Sequence, residues 1–374
     1  MRASNIWRLG VKELWSLVRN PALLALIAYA FSLQIYVAAT AVPLYLNNAP
    51  ISIVDEDVSS LSARIASAFY RPYFSAPKVI SLPEMNQRMD AGIDTFALVI
   101  PPNFERDVLA GSEPAIQFNV DATRMTQAFT GAGYVRAIVS GEVTEFARHY
   151  RPAEAAPVDL VLRARFNPEL IAGWFSAMME VINNVSLLSV ILAGAALIRE
   201  RERGTIEHLL VMPVTPIEIM LAKIWPMALA VFVAALFALT FVVQTWLAIP
   251  VAGSLWLLML GLVLQLFATT SLGILLATIA GSMPQFGLLL LMVLFPLQVL
   301  AGGLTPAESM PSAVRAVMMA APDTHFVSLS QSILFRGAGL GAVWPQLLNL
   351  FAIGLAFFLL SLWRFRKSLR SRGR

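Results

Sequence analysis

Six long apolar runs constrain this chain more than any other feature. The chain is 58% apolar and 13% charged, whereas a soluble protein carries about 25% charged residues. A helix needs about 20 apolar residues to cross a bilayer, so we predict an α-helical polytopic membrane protein with six transmembrane helices. The runs lie near residues 22–41, 174–198, 224–246, 255–280, 285–301 and 343–363.

The first apolar run has two interpretations. It ends Ala39-Thr40-Ala41, which resembles a signal-peptide cleavage site. Its length exceeds the roughly 7–15 residues of a signal h-region, which favours an uncleaved first span. Residues 5–19 precede it, with Trp7 and Trp15 on an apolar face shared with Val11, Leu14 and Val18. This pattern predicts an amphipathic helix in the cytoplasmic interface.

Residues 44–170 differ in composition, since they hold 15 of the 23 acidic residues. Short β-like runs alternate there with helical ones, which predicts an inserted extracytoplasmic α/β domain. The predicted strands are 51–54, 79–82, 95–100, 115–120 and 158–165. Asp55, Glu56 and Asp57 could form a carboxylate cluster for a metal or for acid–base chemistry. The favoured interpretation is a strand end followed by a helix N-terminus, where acids are stabilised.

Basic residues set the expected orientation. Four lie in the N-terminal segment, four in residues 199–223 and six in the C-terminal tail, and the loop at 247–254 has none. Cytoplasmic loops are basic, so we expect both termini in the cytoplasm and the α/β domain outside, in the periplasm if the host is Gram-negative. This distribution argues for membrane orientation rather than for nucleic-acid binding. The three dispersed histidines and the lack of cysteine give no metal site.

Several polar side chains lie within the apolar runs. Polar groups inside a membrane are costly and often face a bundle interior or an aqueous path. The candidates for a substrate path are Glu180, Asn183, Asn184, Gln265 and Gln298. Glu180 lies near enough to the span end to reach headgroup water as an alternative, and small or hydroxyl residues more often serve helix packing.

Two further patterns concern the later spans. Thr215-Pro216-Ile217-Glu218 has the form of a capping box with proline at the first helical position, and it predicts a helix start. Residues 302–341 are too polar to cross a membrane and too apolar for an ordinary loop. Met310, Val314, Val317 and Met318 mark one amphipathic stretch there, and Phe326, Leu329, Ile333 and Leu334 mark another.

A dense charge cluster separates the second and third spans, and it reads Arg-Glu-Arg-Glu-Arg-Gly-Thr-Ile-Glu-His-Leu-Leu-Val-Met-Pro over residues 199–213. It resembles the cytoplasmic coupling segment of ABC transporter permeases of the bacterial type-2 exporter family, and the resemblance extends over the whole chain. The resemblance implies contact with an ABC ATPase subunit through Glu200, Glu202, Gly204, Thr205, Glu207, Leu209, Leu210 and Pro213. The alternative is a basic loop that only fixes topology.

The chain contains no G-x-x-x-x-G-K-[ST] run that would cradle ATP phosphates, and no residue is assigned a catalytic role. We therefore expect no directly bound cofactor, with ATP and Mg in the partner ATPase. The resemblance implies a permease subunit of an ATP-driven exporter for a drug-like, lipid-like or other amphiphilic substrate. It also implies a second permease subunit, as a homodimer or a heterodimer, and raises a periplasmic adaptor protein as a candidate partner. The alternative function is a membrane-anchored sensor or scaffold with a ligand-binding periplasmic domain.

These patterns divide the chain into five parts. They are the interfacial helix 1–20, the first span 21–43, the periplasmic α/β domain 44–170, the five-span domain 171–364 with coupling segment 199–216, and the basic tail 365–374.

Overall fold

The computed structural model describes residues 3–40, 46, 48–112, 114–121, 125–150, 172–202, 204, 214–301 and 310–372. The chain forms two compact units, one of Met1–Thr40 with Ala164–Arg374 and one of Ala41–Arg163. The first unit contains six helices long and apolar enough to cross a membrane, which confirms the predicted fold class. They are Pro21–Thr40, Gly173–Glu202, Pro216–Trp246, Leu255–Ile279, Met283–Leu300 and Leu340–Lys367.

The unit of Met1–Thr40 with Ala164–Arg374 is called the membrane unit, and the unit of Ala41–Arg163 is called the smaller unit. Their elements are numbered in chain order. The helices are α1 Ala3–Val18, α2 Pro21–Ala30, α3 Leu33–Thr40, α4 Ser60–Ser67, α5 Leu82–Asp90, α6 Phe104–Ala110, α7 Met125–Tyr150, α8 Ala172–Glu202, α9 Pro216–Phe237, α10 Leu255–Ile279, α11 Met283–Leu300, α12 Ser312–Met318, α13 Pro322–Leu334 and α14 Leu340–Arg372. The strands are β1 Ile51–Asp55, β2 Lys78–Val79, β3 Phe96–Ile100 and β4 Gln117–Val120.

The smaller unit is built around a four-stranded sheet in the order β2-β1-β3-β4. β1 lies parallel to β2 and β3, and β4 is antiparallel to β3. Successive side chains of a strand point to opposite faces, so Ile53 and Leu98 join one apolar cluster while Val54 and Val99 join another. Both faces are therefore covered, as the helical runs between the strands predict.

Most of the predicted strands occur where expected, with two exceptions. The predicted strand 79–82 has the wrong bounds. Only Lys78–Val79 pair with a neighbouring strand, and the helix α5 begins at Leu82. Ser81 and Pro83 favour a helix start here, and this local signal overrides the apolar run. The predicted strand 158–165 lies outside the described residues.

The third span begins at the predicted capping box. The Thr215 hydroxyl accepts from the Glu218 amide at 3.4 Å, and the Glu218 carboxylate accepts from the Thr215 amide at 2.7 Å. The span ends in a feature that was not predicted, a π-helix over Ala238–Trp246. π-Helical turns are rare in proteins and have no strong sequence signature.

The second span, α8, lies at the centre of the bundle. It is 83% buried over its most apolar window. A Cβ added at Gly273 of α10 would lie 2.4 Å from the Val190 carbonyl oxygen of α8. Close backbone approach of this kind requires glycine. Ser189 of α8 and Thr269 of α10 share a hydrogen bond of 2.6 Å beside this contact.

In its described part, residues 310–339, the segment between the fifth and sixth spans forms the helices α12 and α13. In α13 the four predicted apolar positions, Phe326, Leu329, Ile333 and Leu334, are all buried. In α12, Met318 is buried but Val317 is 69% exposed. The helix α13 packs against α8, α10 and α14, so it belongs to the core of the bundle.

Candidate functional site

Three helices meet at a buried ion-pair cluster formed by Glu13 of α1, Glu200 of α8 and Lys223 of α9. The Lys223 ammonium lies 2.7 Å from a Glu200 carboxylate oxygen and 3.3 Å from a Glu13 carboxylate oxygen. It also donates to the Ala196 carbonyl oxygen at 3.4 Å. Lys223 is only 2% exposed. We call these three residues the Lys223 cluster, and they fasten the end of the second span to α1 and to the third span.

Glu13 reaches this cluster because α1 packs against the bundle through a face other than its predicted apolar face. Its buried residues are Gly10, Glu13 and Leu17, whereas Trp15 of the predicted apolar face is 59% exposed. Burial raises the pKa of Glu13 above its ordinary value, and the Lys223 charge lowers it in part. The buried stripe was missed because its central residue is charged and its partner is 210 positions away.

Glycine and tryptophan bring α1 close to α9. A Cβ at Gly10 would lie 2.1 Å from the Trp225 ring, so a larger residue cannot occupy that position without movement. Trp7 stacks on Trp225 with ring centroids 5.1 Å apart, and the Trp225 indole donates to the Ile6 carbonyl oxygen at 3.2 Å. These contacts fix α1 against α9, and so they keep Glu13 of α1 beside Lys223 of α9.

The next two charged residues of the predicted coupling segment bind the junction between α10 and α11. Arg201 donates to the Ala280 carbonyl oxygen at 2.7 Å, and Glu202 accepts from the Met283 amide at 2.8 Å. A carboxylate at the first amides of a helix is favourably placed. Gly204 has a φ of +67°, a backbone conformation that favours glycine.

The remaining predicted coupling residues lie outside the described part of the chain. They are Thr205, Glu207, Leu209, Leu210 and Pro213. Of the predicted coupling residues, the structure describes Glu200, Glu202 and Gly204, and Glu200 and Glu202 contact different helices. The contact with an ATPase stays a prediction.

The predicted path residues on α8 bind the first span. That span is broken between α2 and α3, and the Asn184 side-chain amide donates to the Ala30 carbonyl oxygen at 2.8 Å. Glu180, one turn away, accepts from the Gln34 amide at 2.5 Å. A break in a transmembrane helix is tolerated where a neighbouring helix satisfies the freed backbone groups. Asn184 supplies such a backbone contact here, and Glu180 adds a side-chain contact to Gln34.

The other predicted path residues are dispersed. The Gln298 amide lies 3.5 Å from the Asn183 carbonyl oxygen. Gln265 binds a different pair of residues. Its side-chain amide donates to a carboxylate oxygen of Asp323 at 2.5 Å and to the Ser186 hydroxyl at 3.0 Å. Asp323, at the start of α13, was not selected from the sequence. An acidic residue within an otherwise apolar stretch was the signal that could have revealed it.

Three acidic residues of the smaller unit, Asp55, Asp57 and Glu105, accept backbone hydrogen bonds in the turn after β1 or in the first turn of a helix. Asp55 accepts from the Asp57 and Val58 amides at 3.1 and 2.9 Å. Glu105 accepts from the Leu61 amide at 2.9 Å, and this bond holds the pKa of Glu105 below its ordinary value. These bonds agree with the favoured interpretation of a strand end followed by a helix start.

Six helices long and apolar enough to cross a membrane, joined by a charged connection that is anchored on several of them, define a polytopic membrane protein. The chain matches the model of the ABC-2 family transporter protein over residues 14–363, and it belongs to that family. The predicted resemblance is thereby confirmed.

Relatives share nearly the whole length of the chain. The inner membrane transport permease YhhJ of Escherichia coli (strain K12) is 56% identical over 365 residues, which cover 98% of each chain. The probable multidrug ABC transporter permease YbhR of the same organism is 27% identical over 354 residues, covering 93% of this chain and 94% of the relative. The probable multidrug ABC transporter permease YbhS is 28% identical over 338 residues, covering 88% and 89%.

Proposed function

We propose that the chain is the membrane-spanning subunit of an ATP-driven exporter that moves an amphiphilic substrate outward with energy from a separate ATPase. The observation that carries this proposal is the anchoring of the charged connection after the second span. Glu200 is tied to α1 and α9, and Arg201 and Glu202 are tied to the junction of α10 and α11. A loop that only fixed topology would not need these contacts.

The anchoring provides a mechanical route from a partner to the bundle. A force applied by an ATPase to residues 205–213 would act on α8 directly and on α9 through the Lys223 cluster. The same force would reach α10 and α11 through Arg201 and Glu202. Rigid-body movement of packed elements is an established way to switch a protein between two states, and here it would alternate access between the two sides of the membrane.

The proposed assembly follows the family. ATP and Mg would bind to the ATPase, and a second permease subunit, identical or different, would complete the transport path. Both termini would lie in the cytoplasm and the α/β unit in the periplasm, where it could contact an adaptor. The names of YbhR and YbhS as probable multidrug ABC transporter permeases support a drug-like substrate.

The test replaces Glu207 with lysine in the full-length chain. Inverted membrane vesicles containing the chain and its ATPase would be assayed for ATP-dependent uptake of a fluorescent amphiphile. We expect Glu207→Lys to lose uptake and to retain membrane insertion and co-purification of the second permease. Glu56→Lys is the matched control, since Glu56 is exposed and lies in the smaller unit, and it should transport normally.

Two results would contradict the proposal. Full ATP-dependent uptake by Glu207→Lys would remove the coupling role of the segment. Uptake by the purified chain without any ATPase would remove the need for a partner. The sensor alternative predicts instead that ligand binding to the smaller unit proceeds with no transport at all.

A further inference from the structure

The helix α1 has an inner face and an outer face of different charge. Its buried residues, Gly10, Glu13 and Leu17, form the inner face and pack against the bundle. Glu13 is the only acidic residue of this helix, and its carboxylate lies 3.3 Å from the Lys223 ammonium group. The outer face of α1 therefore carries cations without a carboxylate of its own helix beside them.

Three basic side chains lie along the outer face. Arg8 and Arg19 are exposed, and the Lys12 side chain is 62% exposed. Helical geometry places these three positions within about 40° of one another and spreads them over about 16 Å. Arg19 continues the last turn of α1, because its amide donates to the Trp15 carbonyl oxygen at 3.0 Å. We call Arg8, Lys12 and Arg19 the basic stripe.

An apolar stripe, formed by Trp7, Trp15 and Val18, lies beside the basic stripe. These side chains belong to residues that are 64%, 59% and 51% exposed. The Arg19 guanidinium lies 5.5 Å from the centroid of the Trp15 ring, and this cation–π contact joins the two stripes. Tryptophan is enriched at the membrane–water interface, and arginine and lysine reach from apolar surroundings towards polar ones.

The first span fixes the level of α1 relative to the membrane. The helix α1 ends at Val18, and the span begins at Pro21. The Asn20 side chain caps the start of the span by accepting from the Leu23 amide at 3.2 Å. Each connecting residue extends the chain by at most about 3.6 Å, so α1 is held close to the level at which phospholipid headgroups lie.

The charge of the basic stripe is only partly balanced by the protein. The described ion pairs of the membrane unit join Lys12 and Lys223 to Glu13 and Glu200. They do not include Arg8 or Arg19, whose charges are not balanced by a carboxylate among the described residues. Positive charge of this kind, beside an apolar stripe and at the headgroup level, is complementary to an anionic bilayer surface.

We propose that the basic stripe and the apolar stripe of α1 together bind anionic phospholipids. The basic stripe would donate to phosphate oxygens of the headgroups, and the apolar stripe would lie among the upper parts of the acyl chains. This lipid contact and the Lys223 cluster would hold opposite faces of α1. The inference goes beyond the proposed function and does not depend on it, because it concerns the lipid around the permease and neither its substrate nor its ATPase.

The test measures the local enrichment of anionic lipid beside α1 in the full-length chain. The chain has no cysteine, so Ser16→Cys, at an exposed position of α1, attaches one fluorophore beside the basic stripe. The chain would be placed in nanodiscs of phosphatidylglycerol and phosphatidylcholine, with a nitroxide quencher on the acyl chain of one lipid or the other. The ratio of quenching by the two labelled lipids, corrected for their mole fractions, measures the enrichment.

We expect phosphatidylglycerol to be enriched about fivefold or more beside the fluorophore, since one basic residue near an anionic surface contributes about this factor. Combining Arg8→Gln, Lys12→Gln and Arg19→Gln should remove the enrichment. The matched control combines Arg8→Lys with Arg19→Lys, which retains all three charges and should keep the enrichment.

Two further measurements use the unaltered stripe, so they do not depend on the folding of the glutamine variant. A fluorophore at Ser254→Cys should find no enrichment, because Ser254 is exposed and its loop, residues 247–254, has no charge. Raising the salt concentration from about 0.1 M to about 1 M shortens the Debye length from about 10 Å to about 3 Å. The enrichment beside Ser16→Cys should therefore fall at high salt.

Four outcomes would overturn the proposal. Equal quenching by the two lipids beside α1 would leave the outer face to a protein partner, and enrichment that persists in the glutamine variant would locate the anionic lipid elsewhere. Equal enrichment at Ser254→Cys would show a general preference of the whole chain. Loss of the enrichment on adding inorganic phosphate at constant ionic strength would make the basic stripe a site for a free anion. The assay contains no ATPase, so each of these results would leave the proposed ATP-driven transport standing.

Discussion

Replacing Lys223 with methionine tests whether the Lys223 cluster holds α1 against the bundle. Methionine is similar in length but carries no charge. The change therefore leaves Glu13 and Glu200 without the ammonium group that lies 3.3 and 2.7 Å from their respective carboxylate oxygens. Removing one partner of a buried ion pair costs about 3–5 kcal/mol. Because the side chains of Glu13 and Glu200 retain 10% and 12% exposure, we expect a cost near the lower figure, about 3 kcal/mol.

The assay follows both the whole chain and α1. Denaturant unfolding in detergent measures the loss of stability, and trypsin cleavage at Arg8 or Lys12 measures the release of α1. Lys12→Met is the matched control, since Lys12 lies 3.5 Å from the same Glu200 but is 62% exposed. An exposed ion pair contributes less than about 1 kcal/mol, so this control should remain stable and resistant to trypsin.

The pH dependence of unfolding gives a second test of the Lys223 cluster. Burial raises the pKa of Glu13, and Lys223 opposes that rise, so loss of Lys223 should raise the pKa of Glu13 further. A carboxyl group whose pKa is raised in the folded state stabilises the fold at low pH and loses that contribution as the pH rises through the raised pKa. The stability deficit of Lys223→Met should therefore shrink on acidification from neutral pH. Equal deficits in the two lysine variants, or a deficit that grows in acid, would refute the reasoning.

Three further predictions address orientation, the smaller unit and helix packing. The chain has no cysteine, so in intact cells a membrane-impermeant maleimide should label Ser67→Cys, and should label Ser16→Cys only after permeabilisation; the reverse pattern would contradict the proposed orientation. Arg88 binds Asp94 at 2.7 and 2.8 Å and holds its pKa below the ordinary value, so Asp94→Asn should lower the melting temperature of the full-length chain at neutral pH. The wild-type advantage should begin to shrink as the pH falls below about 4, the ordinary pKa of an aspartate, and should vanish below the lowered pKa of folded Asp94, where its carboxyl group is protonated. An advantage that did not shrink in acid would count against this ion pair. Gly273→Ala should lower the free energy of unfolding by about 1–3 kcal/mol, because the added Cβ would lie 2.4 Å from a backbone oxygen of the second span. Denaturant unfolding measures this loss, and a neutral effect would show that the two spans can separate freely.

Local signals predicted much of the fold. The apolar runs located all six spans because membrane crossing depends on length and composition, which are properties of a continuous segment. The capping box at Thr215 and Glu218 located a helix start because its two partners are three residues apart. The short apolar runs around Ile53 and Leu98 likewise predicted strands, since alternation along a strand is read within a few residues.

The sequence by itself determined the class of protein, its spans and the position of the charged connection, because each of these is a property of a contiguous segment. Only the tertiary structure decided which polar residues meet. Lys223 and Glu13 are 210 positions apart, and Ser186 and Asp323 are 137 positions apart. No periodicity links such residues, and only the packing of the helices brings them together. A buried charge is tolerated only where a partner is supplied, and which helix supplies it is decided by that packing.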